Sequence, residues 1–177
     1  EADRLTRLVK SVLSFERMRQ GNAENQAETF NVTLLIGELI EKMWPQANKF
    51  GNEIQNLCEP DVYVYAAVDQ VERILINILA NAIQFTKNGI ITVSAKDVAG
   101  KTHLFVTDTG IGMTANQIDR MWQRYYKADP SRTIKGESGL GMSIVRELIK
   151  ANNGEIKVTS KVDVGTTFEV ILPQKLS

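Results

Sequence analysis

Cysteine, histidine and proline are scarce in this sequence, which has 1, 1 and 4 of them among 177 residues. A lone cysteine, Cys58, cannot form an intrachain disulfide, so the sequence excludes a disulfide scaffold and fits a reducing compartment. An excess of one charge is also lacking, because 21 basic residues balance 21 acidic ones. We therefore expect no general attraction to nucleic acid or to an anionic membrane.

Long hydrophobic runs are missing as well. The most apolar window, Ile74 to Ile83, is too short to span a bilayer and is interrupted by Asn77 and Asn81. The sequence does contain 43% hydrophobic and 24% charged residues, the composition of an ordinary globular protein with one sizeable core. It begins at Glu1 without an initiator methionine or a signal peptide, so we expect it to be part of a longer protein.

The first 28 residues have a different pattern from the rest. Between residues 2 and 20, apolar side chains recur at spacings of three and four, at Leu5, Leu8, Val12 and Phe15. This spacing predicts a helix with a heptad-like seam, which either dimerises or lies on the core. Residues 21–28 have no apolar periodicity and are typical of a linker.

Periodicity in the remaining residues predicts an α/β (α+β) two-layer sandwich, in which about three helices pack against one mixed sheet. A first helix is expected from Thr33, as its N-cap, to about Asn48, with Pro45 distorting or shortening it. Further helices are expected at 69–85, after Thr114, and at 140–152, where Asn153 and Gly154 supply a stop. Strands are expected near 53–58, 63–68, 89–96, 102–108, 155–160 and 166–173.

Polar residues form a stripe along the predicted helix 69–85. The spacings are four, four and three, which places Arg73, Asn77, Asn81 and Gln84 on one side of a mostly apolar helix. A buried amide without a partner costs about 1–3 kcal/mol, so buried members of this stripe need a ligand or a protein partner. The alternative is a solvated strip of an amphipathic helix.

A second motif, DTGIGM at residues 108–113, ends an apolar strand. The Asp108 carboxylate can accept a hydrogen bond from an amine on a bound ring, and Gly110 and Gly112 have no Cβ to hold a ligand away from the backbone. Such a site suits a flat heterocycle with an exocyclic amine. An ordinary Asp-Thr-Gly turn is the alternative.

A third motif, GESGLGMSIV, covers residues 136–145. Its glycines precede and open a predicted helix that Ser138 can cap. The free N–H groups and the positive dipole end of a helix favour phosphate. Taken singly, a glycine-rich loop before a helix is a weak sign of a nucleotide site.

Together and in this order, the three motifs resemble the Bergerat nucleotide-binding fold of the GHKL superfamily, which includes gyrase, Hsp90, MutL and the sensor histidine kinases. NILANAIQF is similar to the N box, DTGIGM to the first glycine box, MWQRYYK to the kinase F box and GESGLGM to the second glycine box. The closing GTTFEVILP is typical of histidine kinase catalytic domains, and the resemblance covers roughly Phe30 to Pro173. It implies that residues 1–28 are the second helix of a dimerisation hairpin plus a linker, and that residues 29–177 are an ATP-binding catalytic domain.

The resemblance implies a role for each matching residue. Asp108 is implied to hold the adenine amine with help from Thr166, and Phe85 to pack on the base. Asn81 is implied to bind Mg²⁺ through its amide oxygen, since this hard cation prefers oxygen ligands. The implied catalytic residues are Asn77, Asn81 and Lys127. The implied nucleotide contacts are Asn77, Asn81, Gln84, Phe85, Asp108, Gly110, Gly112, Met113, Tyr126, Ser138, Gly139, Leu140, Gly141, Met142 and Thr166.

Asn77 distinguishes this sequence from part of the superfamily. Gyrase, Hsp90 and MutL are similar but carry a glutamate that activates water, whereas an amide cannot act as a general base at neutral pH. The resemblance therefore favours phosphoryl transfer to a protein over hydrolysis. Such transfer needs mainly alignment and charge neutralisation.

Several positions depart from the family pattern, among them Trp122 and Tyr125, which replace phenylalanines as a mild change. Gln84 stands where Lys or Arg is usual, Glu137 where glycine is common, and Lys127 where the F box usually has the planar fork of arginine. Residues 127–138 are implied to form the ATP lid, with a polar surface loop as the alternative. We expect nucleotide binding to survive these changes, and the efficiency of transfer stays open.

The resemblance also implies partners. The ligands are ATP and ADP with Mg²⁺, the acceptor is a histidine outside this sequence, and the next acceptor is the receiver domain of a response regulator. His103, the single histidine, precedes Leu104 instead of an acidic residue, so we expect a structural role at a surface or edge-strand position. The parent protein is expected to be a membrane-bound bacterial sensor kinase that dimerises through the hairpin. This portion would be cytoplasmic and would meet the membrane only through regions absent from this chain.

Two other functions remain open. One is a GHKL-type ATPase, which steady phosphate release abolished by Asn81→Ala would indicate. The other is a nucleotide-sensing scaffold that has lost transfer, which nucleotide binding without labelling of a supplied histidine segment would indicate.

Overall fold

The structure is a computed structural model that describes residues 27–123 and 141–175. The predicted helix at 2–20 lies outside the described residues, and so does the predicted lid at 127–138. The described strands are β1 (Ala27–Asn31), β2 (Glu53–Asn56), β3 (Tyr63–Ala67), β4 (Ile90–Val98), β5 (Lys101–Asp108), β6 (Glu155–Lys161) and β7 (Gly165–Pro173). The described helices are α1 (Val32–Lys49), α2 (Val68–Gln84), α3 (Ala115–Arg120) and α4 (Gly141–Ala151).

Two sheets organise the described chain. Five strands form a mixed sheet in the order β2-β4-β5-β7-β6, in which β2 and β4 are parallel and the other neighbours antiparallel. β1 and β3 pair separately as an antiparallel ribbon. The predicted two-layer α/β sandwich with a mixed sheet is confirmed.

The core lies between the helices and one face of the mixed sheet. Residues alternate along β5 and β7, so that Leu104 pairs with Val170 and Val106 with Phe168 on the buried face. Helix α2 is buried along most of its length, with Ile74 and Ile78 fully enclosed. Each fully buried Leu or Ile side chain contributes about 1.5–3 kcal/mol relative to exposure, which fixes α2 firmly on the sheet.

The expected N-cap of helix α1 is wrong, and the expected shortening at Pro45 does not occur. Its N-cap is Asn31, whose Oδ1 accepts a hydrogen bond from Leu34 N at 3.2 Å. The Thr33 hydroxyl instead donates to the carbonyl oxygen of Glu59 at 2.8 Å and accepts from Val62 N at 3.1 Å. Pro45 lies inside the helix without ending it before Lys49. Pro45 and Glu41, four residues earlier, are both exposed, so water can hydrate the carbonyl group that proline leaves unpaired.

Other element ends follow local chemistry. Strand β1 begins at Ala27, inside the segment predicted as a linker and two residues before the predicted domain boundary. Asn153 adopts a left-handed conformation with φ 59° two residues after the end of α4, and Gly154 N donates to Ile149 O at 2.9 Å. The predicted stop at this pair is therefore confirmed. No helix in the described ranges is long and apolar enough to cross a membrane.

Candidate functional site

A cleft opens where the end of α2 meets the end of β5. Its volume is about 340 Å³, including the part open to solvent. The residues that line it are Asn81, Phe85, Asp108, Ile111, Gly112, Met113, Gln117 and Thr166. Six of these eight were predicted from sequence motifs that are far apart in the chain, so the fold brings those motifs to one place.

Asp108 is the buried acid of this cleft. It is the last residue of β5, pairs with Thr166 of β7 on the helix side of the sheet, and is 5% exposed. Its Oδ1 accepts hydrogen bonds from Gly110 N at 2.9 Å and from Thr166 N at 3.3 Å. Because these donors occupy the two lone pairs of Oδ1, the acceptor capacity that remains lies on Oδ2.

Burial and hydrogen bonding act on Asp108 in opposite directions. Burial raises the pKa of the Asp108 carboxyl, and the donors Gly110, Thr166 and Thr86 lower it by a smaller amount. Thr86 is fully buried, and its Oγ1 makes no hydrogen bond of normal geometry. It still lies close enough to Asp108 to stabilise the ionised form of that carboxyl. Asp108 thus lines the cleft, and the buried Thr86 lies behind it.

The polar stripe of α2 is partly buried. It is neither fully enclosed nor a fully solvated strip, the two alternatives that the sequence left open. Asn81 lines the cleft, whereas Asn77 Nδ2 donates to the carbonyl oxygen of Arg73 at 2.9 Å, one turn earlier. Gln84 is 4% exposed and does not line the cleft. Phe85 caps the end of α2 and faces the cleft, and its carbonyl accepts from Ile111 N at 3.1 Å.

The glycines of the first glycine box are required by protein contacts. A Cβ at Gly110 would overlap the carbonyl oxygen of Phe85, and one at Gly112 would overlap that of Lys161. Gly112 also has a φ of +68°, which side chains rarely adopt. These glycines let the loop pack against α2 on one side and against the β6–β7 turn on the other, and only Gly112 lines the cleft.

The start of α4 meets the polar stripe of α2. A Cβ at Gly141 would lie 2.9 Å from Asn77 Oδ1, so the second glycine motif and the N-box motif touch. Met142 is half-buried against the core. Asn77, Gln84, Gly110, Gly141 and Met142 do not line the described cleft. Tyr126, Lys127, Ser138, Gly139 and Leu140 lie outside the described residues.

Sequence reasoning missed Ile111, Gln117, Thr86 and Ser160. A local signal existed for Gln117, since Thr114 and Gln117 form a capping box at the start of α3 with bonds of 2.9 and 3.2 Å. Thr86 and Ser160 carry no such signal, because they act through partners from other parts of the chain.

The surroundings of the single histidine, His103, and of the single cysteine, Cys58, do not favour a role as nucleophile. His103 lies on the central strand β5, not on an edge strand, and its Nδ1 bonds Glu169 Oε2 at 2.7 Å across the sheet. Cys58 is half-buried, and burial raises the pKa of its thiol to about 11. In the described ranges, no group of three or more His, Cys, Asp or Glu residues could hold a metal ion.

Comparison with known families agrees with this geometry. A family model described as histidine kinase-, DNA gyrase B-, and HSP90-like ATPase matches residues 66–176. The chain belongs to this ATPase family. The match begins in β3 and extends past β7, so it contains every lining residue of the cleft.

Individual relatives narrow the resemblance within the family. Sensor histidine kinase YclK of Bacillus subtilis is 37% identical over 177 residues, which cover 98% of this chain and 37% of that protein. Sensor protein SrrB of Staphylococcus aureus is 32% identical, over 98% of this chain and 30% of its own length. The chain therefore spans about a third of these relatives, and its resemblance to sensor histidine kinases is confirmed.

Solved structures give the same result. Full-length ShkA in complex with AMPPNP superposes with a TM-score of 0.84 at 27% identity, over 97% of this chain and 36% of that one. The catalytic domain of histidine kinase ThkA superposes with a TM-score of 0.74 over 84% of this chain and 96% of that one. Its identity is 24%, so that likeness supports the fold alone.

Proposed function

We propose that this chain is the ATP-binding catalytic domain of a sensor histidine kinase, which transfers the γ-phosphate of ATP to a histidine outside this sequence. The observation that carries the proposal is the cleft in which Asn81 of α2 and Asp108 of β5 meet beside Phe85 and Thr166. In this cleft the Asp108 carboxylate can accept a hydrogen bond from a ring amine, and the Asn81 amide oxygen can bind a metal ion. Phe85 stands between these two residues in sequence.

Adenine binding follows from the chemistry of the cleft floor. Asp108 is held by two backbone donors on Oδ1, so Oδ2 can accept from the exocyclic amine. Phe85 and Met113 offer apolar surface for the flat base. A buried site of this kind rejects a base that lacks the amine, because the acid would then lose its partner.

The side of the cleft formed by Asn81 suits a magnesium ion. Mg²⁺ is usually held by one or two protein oxygens together with phosphates and water, and the Asn81 side chain supplies one such oxygen. A bound Mg²⁺ neutralises phosphate charge. The full acidic cages that Ca²⁺ sites use are absent from the described part of the chain.

Transfer is favoured over hydrolysis by Asn77. Its amide lies against Gly141, at the start of the helix that follows the second glycine motif. An amide cannot take a proton from water at neutral pH, so the attacking group must come from elsewhere. The resemblance assigns the lid contacts to Tyr126 and Lys127 and the phosphate loop to residues 138–140, all outside the described ranges.

The remaining parts of the proposal concern the longer protein. Residues 1–28 would be the second helix of a dimerisation hairpin and its linker, and 29–177 the catalytic domain. The phosphorylated histidine would pass its phosphoryl group to the receiver domain of a response regulator. The parent protein would be a bacterial membrane sensor with this portion in the cytoplasm.

Calorimetric titration with Mg·ATP and with ADP tests the pocket. We expect Asp108→Asn and Asn81→Ala each to weaken binding at least tenfold, about 1.4 kcal/mol. Matched controls are Asp97→Asn on β4 and Asn48→Ala on α1, because both side chains are exposed and neither lines the cleft. Unchanged affinity in both cleft variants would refute the assignment.

Transfer is tested by adding a hairpin segment that bears the acceptor histidine and following label from γ-labelled ATP. We expect acid-labile, base-stable labelling of the segment that is lost in Asn81→Ala. Steady phosphate release without labelling would instead support an ATPase. Binding without either reaction would support a nucleotide-sensing scaffold.

A further inference from the structure

Ser160 lies on β6 directly opposite Thr166 of β7, and its hydroxyl makes three contacts. Met113 N donates to Ser160 Oγ at 2.7 Å. Ser160 Oγ lies 2.8 Å from Thr166 Oγ1 and 3.0 Å from the carbonyl oxygen of Gly165. A serine hydroxyl has one proton and two lone pairs, so these contacts use its full capacity.

The direction of each bond follows from the partners. The Met113 N–H can only donate, and the Gly165 carbonyl can only accept. Ser160 therefore gives its proton to Gly165, and Thr166 must donate its own proton to Ser160. The reverse arrangement would leave Ser160 Oγ and the Gly165 carbonyl 3.0 Å apart with no proton between them, which is repulsive.

This direction decides what Thr166 offers to the cleft. Thr166 is 6% exposed and lines the cleft beside Asp108. With its proton committed to Ser160, the Thr166 hydroxyl presents only lone pairs, and an ionised Asp108 does the same. We infer that Ser160 is a specificity-determining residue, which fixes the Thr166 proton so that the cleft floor accepts hydrogen bonds and donates none from these two side chains.

The class of ligand follows from these two acceptors, the Thr166 hydroxyl and the Asp108 carboxylate. A purine with an amino group at position six donates from that group to such a floor. A purine with a keto group there places an acceptor against the floor, and carries its proton on the ring nitrogen N1 instead. Sites whose buried polar groups lose their partners discriminate strongly. The inference rests on the proposed function, because it requires the group at position six of the base to lie against Asp108 and Thr166.

The test compares ADP with inosine diphosphate, which carries a keto oxygen in place of the amine and a proton on N1. Calorimetric titration of the 177-residue chain should show tighter binding of ADP. In Ser160→Ala the Thr166 hydroxyl is free to turn and donate, so the ratio of the two affinities should fall at least fivefold. Ser160→Cys keeps the volume with a weak hydrogen-bonding group and should change the ratio in the same direction, which decides the matter if the alanine variant does not fold.

Two variants serve as controls. Ser160→Thr retains the hydroxyl and should keep the ratio within twofold of the unaltered chain. Thr107→Val removes one of two hydroxyls, 3.1 Å apart, that join β5 and β7 on the opposite face of the sheet, and should leave the ratio unchanged. A purely structural role would lower both affinities alike and leave their ratio as it was.

The outcomes separate this inference from the proposal beneath it. An unchanged ratio in folded Ser160→Ala and Ser160→Cys, or equal binding of the two nucleotides by the unaltered chain, overturns the role of Ser160 alone. Failure of the unaltered chain to bind either nucleotide overturns the nucleotide site and this inference with it.

Discussion

The buried carboxylate of Asp108 is poorly solvated in the free protein, and it can accept a hydrogen bond from a bound ligand. Its carboxyl is buried at the end of β5, and burial raises its pKa despite donors from Gly110, Thr166 and Thr86. The raised pKa shows that desolvation of the carboxylate outweighs those hydrogen bonds. A ligand amine would add the donor that the free protein lacks, so the same burial strengthens that bond.

The sign of this pKa shift gives a stability prediction. A raised pKa means that the folded chain holds the Asp108 proton more tightly than the unfolded chain does. That stabilisation is complete below the unfolded pKa, near 3.9 for an aspartate, and is lost as pH rises through the folded pKa. At pH 7, Asp108→Asn should therefore unfold with a free energy equal to or higher than that of the unaltered chain, because Asn Oδ1 still accepts from Gly110 and Thr166.

Urea denaturation from pH 7 toward pH 4 measures this difference, which should shrink as the pH falls. The exposed variant Asp97→Asn controls for the loss of one negative charge. A clear loss of stability in Asp108→Asn at pH 7 would show that the acid holds the fold together and is not held at a cost for a ligand.

Single residues of the cleft differ in how well sequence could predict them. Asn81, Phe85 and Asp108 stand in short motifs that can be found by inspection, and the structure brings them together. Ser160 could not be found in this way, because its partner Met113 is 47 positions away. Such a pairing depends on the register of β6 with β7 and on the course of the loop after β5, which local patterns do not encode.

At the scale of elements, Asn152 joins three of them at the end of α4. Its Oδ1 accepts from Ala67 N at 2.9 Å, where β3 gives way to α2. Its Nδ2 donates to Gln70 Oε1 at 2.7 Å and to Leu148 O at 2.8 Å. Since Asn152 is 7% exposed, water cannot easily replace these bonds.

Asn152→Ala should lower the free energy of unfolding by about 1–3 kcal/mol from the orphaned Ala67 N–H alone. Nucleotide affinity should not change while the chain is folded, because Asn152 does not line the cleft. The neighbouring variant Asn153→Gly is the control, since glycine readily adopts the positive φ found there. Equal stability of the two variants in urea denaturation would contradict the proposed role of Asn152.

Elements with strong periodicity were predicted well, and the errors have physical causes. Helix α2 and strands β4 to β7 alternate or repeat clearly over many residues. β1 was missed because its five residues are half-buried or exposed and show no alternation. Asn31 and Thr33 are both suitable N-caps, and the choice between them depends on Thr33 bonding to the loop between β2 and β3. That contact is tertiary and does not show in local sequence.

At the scale of the whole molecule, the cleft is built on the main core. Asp108 and Thr166 are 58 positions apart in the chain, and they continue the same strand pairs that bury Val106 and Phe168. Asn81 lies near the end of α2, whose apolar residues form the centre of that core. A ligand in the cleft should therefore stabilise the described domain as one cooperative unit.

This cooperativity can be measured by thermal unfolding with ADP. At a free concentration of 100 times its dissociation constant, ADP should stabilise the chain by about 2.7 kcal/mol. For a chain of this size that corresponds to roughly 5–11 °C in Tm. In Trp122→Phe the remaining tryptophan is Trp44 on α1, which is outside the cleft lining, so its fluorescence reports on a remote part of the domain. Fluorescence and far-UV circular dichroism should shift by the same amount, and both shifts should fall to about half or less in Asp108→Asn at that ADP concentration, because ADP binds this variant at least tenfold more weakly. If circular dichroism shifted while Trp44 fluorescence did not, α1 would unfold separately, and the cleft would belong to a smaller cooperative unit than the shared core implies.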